Sequence, residues 1–170
     1  MQPFPRIEEA AITTLQPNPE FMRRAIALAT ENVARGGGPF GCVVVRGGEI
    51  VATGVNQVTA TNDPTAHAEV VAVRAACQAL GTFQLRGCTI YTSCEPCPMC
   101  LAALYWSRCD AIFYANTAAD AAAAGFDDSF LYAEVARPIA ERTIPTARLL
   151  GEEAIESFDR WRATPNKIEY

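Results

Sequence analysis

No apolar run in this sequence is long enough to cross a bilayer; its most apolar windows, such as Phe40 to Val45, fall far short of the roughly 20 residues a spanning helix needs. No membrane partner is expected. Basic charge is scarce as well. Lys and Arg number 14 against 19 Asp and Glu, a formal net charge of −5, and no Lys/Arg-rich run occurs. That balance argues against nucleic acid as a partner. The first residues lack the basic and apolar regions of a secretory signal, so the cytoplasm is the expected compartment. Internal repeats, low-complexity blocks and linkers are missing too, and the 170 residues suit one domain spanning 1–170. Histidine is reduced to a single residue, His67. Cysteine is the exception to this scarcity, with seven residues. The count is odd and three crowd into Cys94 to Cys100, which suits a metal better than a disulfide framework. Cys42, Cys77, Cys88 and Cys109 read as small buried residues in a reducing compartment.

Residues 1–17 show no clean period and read as an extended arm. Asn18-Pro19-Glu20 is a helix start, followed by Phe21, Met22, Ala25, Ile26, Ala29 and Val33 at helical spacing up to Gly36. Phe40 to Val45 and Ile50 to Val58 form a hairpin about the turn Arg46-Gly47-Gly48-Glu49. Asp63-Pro64-Thr65 is expected to cap a second helix that ends at Gly81. Cys88 to Ser93 is a strand running into a third helix that has Pro98 in its first turn. Ala111 to Ala115 is another strand, followed by an alanine-rich helix ending at Gly125, the acidic turn Phe126 to Ser129, and a last helix from Glu152 to Trp161. A hairpin followed by strand–helix alternation implies an α/β fold: a mixed sheet covered by helices on both faces.

His67-Ala68-Glu69 and Pro96-Cys97-Pro98-Met99-Cys100 carry the chemistry. One imidazole and two thiolates are suitable zinc ligands, and three protein ligands leave a fourth tetrahedral position for water. Cys97 and Cys100 sit at a helix start, where free backbone N–H groups favour thiolate over thiol. A structural site normally closes with a fourth protein ligand; here the chain offers Glu69 instead, a carboxylate suited to moving the protons of an activated water. An iron–sulfur site from Cys94, Cys97 and Cys100 would want a fourth cysteine three residues on, where Ala103 stands. Cys94 reads as a strand-end core residue.

The pattern His-x-Glu with Pro-Cys-x-x-Cys is the signature of zinc deaminases. Through it the chain resembles the cytidine deaminase-like superfamily, and within that the small bacterial guanine deaminases. The likeness runs from about Asn18 to Tyr170. It rests on Gly37-Gly38-Pro39-Phe40-Gly41, the strings Thr61 to Glu69 and Tyr91 to Cys100, Ala124 to Phe130, Glu141 to Pro145, and the ending Asn166-Lys167-x-Glu169-Tyr170. The resemblance implies a three-layer α/β/α sandwich with a mixed sheet of about five strands and one zinc per subunit, held by His67, Cys97 and Cys100. It implies a homodimer whose segments from about residue 145 are exchanged, and hydrolysis of guanine to xanthine and ammonia. Glu69 would be catalytic, and Asp128 would recognise guanine or share proton transfer. Asn56 would hydrogen-bond the purine beside Ala68, Phe40 and Trp106 would supply apolar walls, and Tyr170 would close the partner's pocket. Plainer readings stand beside these: Asn56 as a turn residue, Asp128 as a helix cap, Phe40 and Trp106 as packing, Tyr170 as a frayed end. A tRNA-editing adenosine deaminase is the nearest rival; cytidine, guanosine and triazine deaminases and an inactive zinc-binding protein are further ones.

Overall fold

The computed structural model describes residues 16–169. The N-terminal arm, apart from its last two residues, and Tyr170 lie outside them. The described chain forms two compact units, residues 16–129 and residues 130–169.

The first unit opens with helix α1, Pro19–Ala34. Asn18 caps it by accepting a hydrogen bond from the Glu20 N–H at 2.9 Å, with Pro19 in the first turn. Strands β1 (Gly41–Arg46) and β2 (Glu49–Val55) form the expected hairpin, and Gly47 and Gly48 both adopt the positive φ that its tight turn requires. The remaining elements are the single turn α2 (Val58–Thr61), α3 (Ala68–Leu80), β3 (Cys88–Cys94), α4 (Pro98–Ser107), β4 (Ala111–Asn116) and α5 (Ala118–Ala123). Among the described residues the sheet has four strands in the order β2-β1-β3-β4. β1 pairs antiparallel with β2 and β3, and β3 pairs parallel with β4, so the sheet is mixed as expected. About five strands were implied. The chain beyond β4 turns instead into helices and an unpaired stretch over 142–149.

Strand alternation sorts the core into two layers. Cys42, Val44, Cys88 and Ile90 face Ala68, Ala72 and Ala76 of α3 and Leu104 of α4. Val43, Val45 and Tyr91 face Ala25 and Leu28 of α1. Helices thus cover both faces, giving three layers. α3 lies close against β2 because Gly54 has no side chain: a Cβ there would clash with the backbone of Ala68 and Ala72.

Three local expectations need correction. β2 stops at Val55, because the Asn56 side chain accepts a hydrogen bond from the Val58 N–H and turns the chain into α2. α3 begins at Ala68, since Asp63 spends its carboxylate on the Thr65 N–H and hydroxyl, closing a turn ahead of the helix. In α1, Ile26 and Val33 are exposed, and the buried stripe passes through Leu28 and Asn32.

The second unit contains α6 (Ser129–Ala136), entered from the first unit's last residue, a 3-10 turn (Ile139–Glu141) and α7 (Gly151–Ala163). α6 falls where an acidic turn alone was expected to lead onward; Asp127 accepts from the Ser129 N–H and starts it. None of residues 130–169 is buried, and large apolar side chains such as Val135, Leu149 and Phe158 are exposed, Leu149 over 83% of its surface.

Candidate active site

His67 and Cys97 are each the residue immediately before a helix, α3 and α4 respectively, in extended backbone conformation. Two helix N-termini therefore converge, and Cys100 joins from the first turn of α4. His67 Nδ1 lies 3.6 Å from Cys97 Sγ and 3.5 Å from Cys100 Sγ. All three donor atoms fall within 4.8 Å of one another. A tetrahedron with metal bonds of about 2.0–2.3 Å has edges near 3.5 Å, so the cluster fits zinc with one vertex left over.

The protons of the cluster are shared unevenly. A hydrogen bond from the Cys100 thiol, aided by His67, brings the Cys97 thiol down to about 4 in spite of its burial. The resulting thiolate, together with burial and the charge of Glu69, pushes Cys100 well up. Hydrogen bonding to Cys97 raises His67, against the opposing effect of burial. The Cys97 sulfur is thus the donor that ionises most readily, and a cation would take the place of the proton on Cys100. Cys94 does not join them. Burial, then the charge of Glu69, raises it to about 11, and its Sγ points to the Thr117 carbonyl at 3.7 Å.

Glu69 is 5% exposed and sits in the first turn of α3, two residues after His67. Its Oε1 accepts a hydrogen bond of 2.7 Å from Thr92 Oγ1 on β3. Asp128 is half-buried; burial, then the Cys97 thiolate, raises its carboxyl, while His67 pulls the other way. The Asp128 carboxyl thus feels the charges of the donor cluster. The helix that precedes its loop is tied to the cysteine turn: Glu95 accepts from the Ala118 N–H at 3.0 Å, at the head of α5.

Phe40 and Phe126 meet edge to face, with ring centroids 5.0 Å apart, joining the β1 entrance to the Asp128 loop. Asn56 sits at the end of β2, where its main-chain N–H donates to the Phe40 carbonyl. Its side-chain oxygen serves the turn, as the plainer reading held, while its amide remains the group to offer a ligand. The Ala68 side chain is fully buried in the core; what it can present is its N–H in the first turn of α3. Trp106 is not brought to the cluster. It lies in the last turn of α4, 52% exposed.

Two residues escaped the sequence reading. Asn32 of α1 is buried, and its Nδ2 donates both to the Gly38 carbonyl at 2.9 Å and to the Asn56 carbonyl at 2.8 Å. It clamps the glycine turn before Phe40 to the end of β2. Its signal was present: a polar residue on the buried stripe of an amphipathic helix. Thr92, which holds Glu69, gave no such signal, because its partner is visible only across the packed layers.

A family model for the cytidine and deoxycytidylate deaminase zinc-binding region matches residues 15–116. The guanine deaminase of Bacillus subtilis is 56% identical over 151 residues, 88% of this chain and 97% of that protein. Its X-ray structure superposes with a TM-score of 0.88 at 54% identity, covering 91% of this chain and 99% of that one. A guanine deaminase from Nitrosomonas europaea gives a TM-score of 0.64 at 33% identity over 67% of this chain and 66% of its own. The tRNA-specific adenosine deaminase of Aquifex aeolicus is 39% identical, but over 94 residues only, 55% of this chain and 62% of that protein.

Proposed function

The chain belongs to the cytidine and deoxycytidylate deaminase family, and from that premise we propose that it hydrolyses guanine to xanthine and ammonia. One observation carries the reaction type: a buried carboxylate, Glu69, stands two residues from a three-donor zinc set that keeps one vertex open. The choice of guanine rests on reach. The likeness to guanine deaminase extends past residue 116, where the family model ends, whereas that to tRNA-specific adenosine deaminase covers only 55% of the chain.

His67, Cys97 and Cys100 would hold the zinc, which would supply an acidified water at neutral pH. Glu69 takes a proton from the attacking water and delivers it to the ring nitrogen beside C2. Asp128, its carboxyl raised by burial and the Cys97 thiolate, is the acid we assign to accept from the donor-rich 2-amino edge and share protonation of the departing ammonia. Asn56 offers its amide to the purine, Phe40 and Phe126 supply an apolar wall, and the Ala68 N–H faces the same helix N-terminus as the metal ligands. Trp106, exposed on α4, would serve substrate only if a neighbouring subunit covered it.

The exposed apolar residues of 130–169 support a homodimer in which the segment from about residue 145 is exchanged and Tyr170 closes the partner's pocket. One zinc per subunit, no nucleic acid or membrane partner, and a cytoplasmic location complete the reading; no helix among the described residues is long and apolar enough to cross a membrane. The decisive experiment incubates zinc-loaded protein with guanine, guanosine, adenine, cytidine, ammeline and a tRNA anticodon hairpin and records ammonia release. Guanine is expected to exceed every other substrate; preference for the hairpin would move the chain to RNA editing.

A further inference from the structure

We propose that Thr92 is a positioning residue for the proton carrier: its hydroxyl determines which carboxylate oxygen of Glu69 meets the reacting water. The inference rests on Glu69 being that carrier, as proposed above. Thr92 is fully buried on β3, paired with Cys42 of β1 on one side and with Tyr114 of β4 on the other. A β-branched residue on a central strand is stiff at χ1, and the pleat sets its side chain on the same face as Ile90, toward α3. A hydroxyl has a single proton to donate, and this one goes to Glu69 Oε1 at 2.7 Å, across 23 residues of sequence. Ser93 cannot take over, because it points to the other face, where its oxygen accepts from the Gly41 N–H at 3.0 Å.

The terminal torsion of a glutamate is broad and nearly two-fold, so α3 alone does not distinguish Oε1 from Oε2. One short bond from a rigid strand removes that equivalence. Oε1 is held as an acceptor, and the travelling proton therefore belongs on Oε2. Without the bond the carboxylate can rotate, and an oxygen displaced by a fraction of an ångström from the water loses rate without losing affinity for the base. A valine would fill the same space on the strand but offer no donor.

The test compares Thr92→Val, which keeps the shape and removes the donor, with Thr92→Ser and Thr92→Ala, a pair that differ only in the hydroxyl. With guanine as substrate, Thr92→Val is expected to lower kcat roughly ten- to a hundredfold, with KM little changed and zinc retained. Thr92→Ser keeps most of the rate and Thr92→Ala falls as far as the valine variant. If Thr92→Val does not fold, the serine–alanine comparison decides alone. A second readout needs no turnover: in a thermal double-mutant cycle, Thr92→Val and Glu69→Ala together lower Tm by less than the sum of the two, because each single change leaves the other residue without its partner and the double change leaves neither. The proposal is overturned if serine and alanine lose rate equally, if the Tm effects simply add, or if Thr92→Val runs at the normal rate while Glu69→Gln is inactive. Full turnover by Glu69→Gln would instead sink the proton-carrier reading, and this proposal with it, so the two failures leave different signatures.

Discussion

A buried asparagine whose one amide nitrogen serves two carbonyls is expensive to replace, because a half-buried acceptor is left without that donor. Asn32 is such a residue, joining Gly38 to Asn56. Asn32→Ala takes the donor from the Asn56 carbonyl, while the Gly38 carbonyl keeps the Phe40 N–H, so the expected cost is roughly 1–3 kcal/mol, lowering Tm by about 2–4 °C per kcal/mol. It should also raise KM for guanine, since Asn56 is placed by this clamp, while zinc content holds. A melting curve and a substrate titration check both, and an unchanged KM would detach Asn56 from substrate binding. The contrast between Asn32 and the zinc ligands shows what a sequence carries at this scale. His67, Glu69, Cys97 and Cys100 were legible because their residue types are chemically rare and their spacing is local, at a helix start where function follows from position. Asn32 and Thr92 act on partners 24 and 23 residues away, across different layers, and no local spacing encodes that.

Two helices aimed at one point give the site its electrostatic character. α3 and α4 both direct N-terminal N–H groups toward the donors, which favours negative sulfur. The direction of the titration shifts sets how zinc affinity depends on pH. Cys97, brought down to about 4, is ionised at neutrality, whereas His67 and Cys100 are raised and must give up protons when the metal enters. Protons therefore compete with zinc, and affinity rises as pH increases. Competition against a chelator at pH 6 and pH 8 should show tighter binding at the higher value, and equal affinity would mean that the donors are already bare. Elements with their own start and stop chemistry were legible, as the Asn18 cap and the Gly47-Gly48 turn show. Boundaries slipped where a side chain had two possible uses: Asp63 could cap a helix but closes a turn, and Asn56 ends the strand that periodicity would have carried to Val58. α6 went unread because its residues, Ser129 to Ala136, present no buried stripe to betray a helical period.

At the scale of the whole molecule, the two units are unequal in kind. Residues 16–129 hold the sheet and every zinc donor; residues 130–169 bury nothing and leave Phe130, Val135, Leu149, Leu150, Phe158 and Ile168 exposed. A surface so apolar is expected to be covered in solution, and a second copy of the chain is the partner that symmetry offers at least cost. Solution mass should therefore be twice that of the chain. Within the second unit the Lys167 ammonium lies 5.9 Å over the Trp161 ring, at the base of the tail. A polar tail whose sequence ends in an aromatic can act as a lid that excludes water once the purine is bound. Deleting Glu169 and Tyr170 should leave fold and zinc intact while sharply reducing guanine turnover. Co-expressing that truncated chain with a Glu69→Gln chain tests exchange directly, because one site of the heterodimer then combines an intact Glu69 with its partner's intact tail. Recovered activity in a purified heterodimer is the expected outcome. Undiminished turnover by the truncated homodimer would remove the lid, and a verified heterodimer without rescue would place each tail over its own subunit's site.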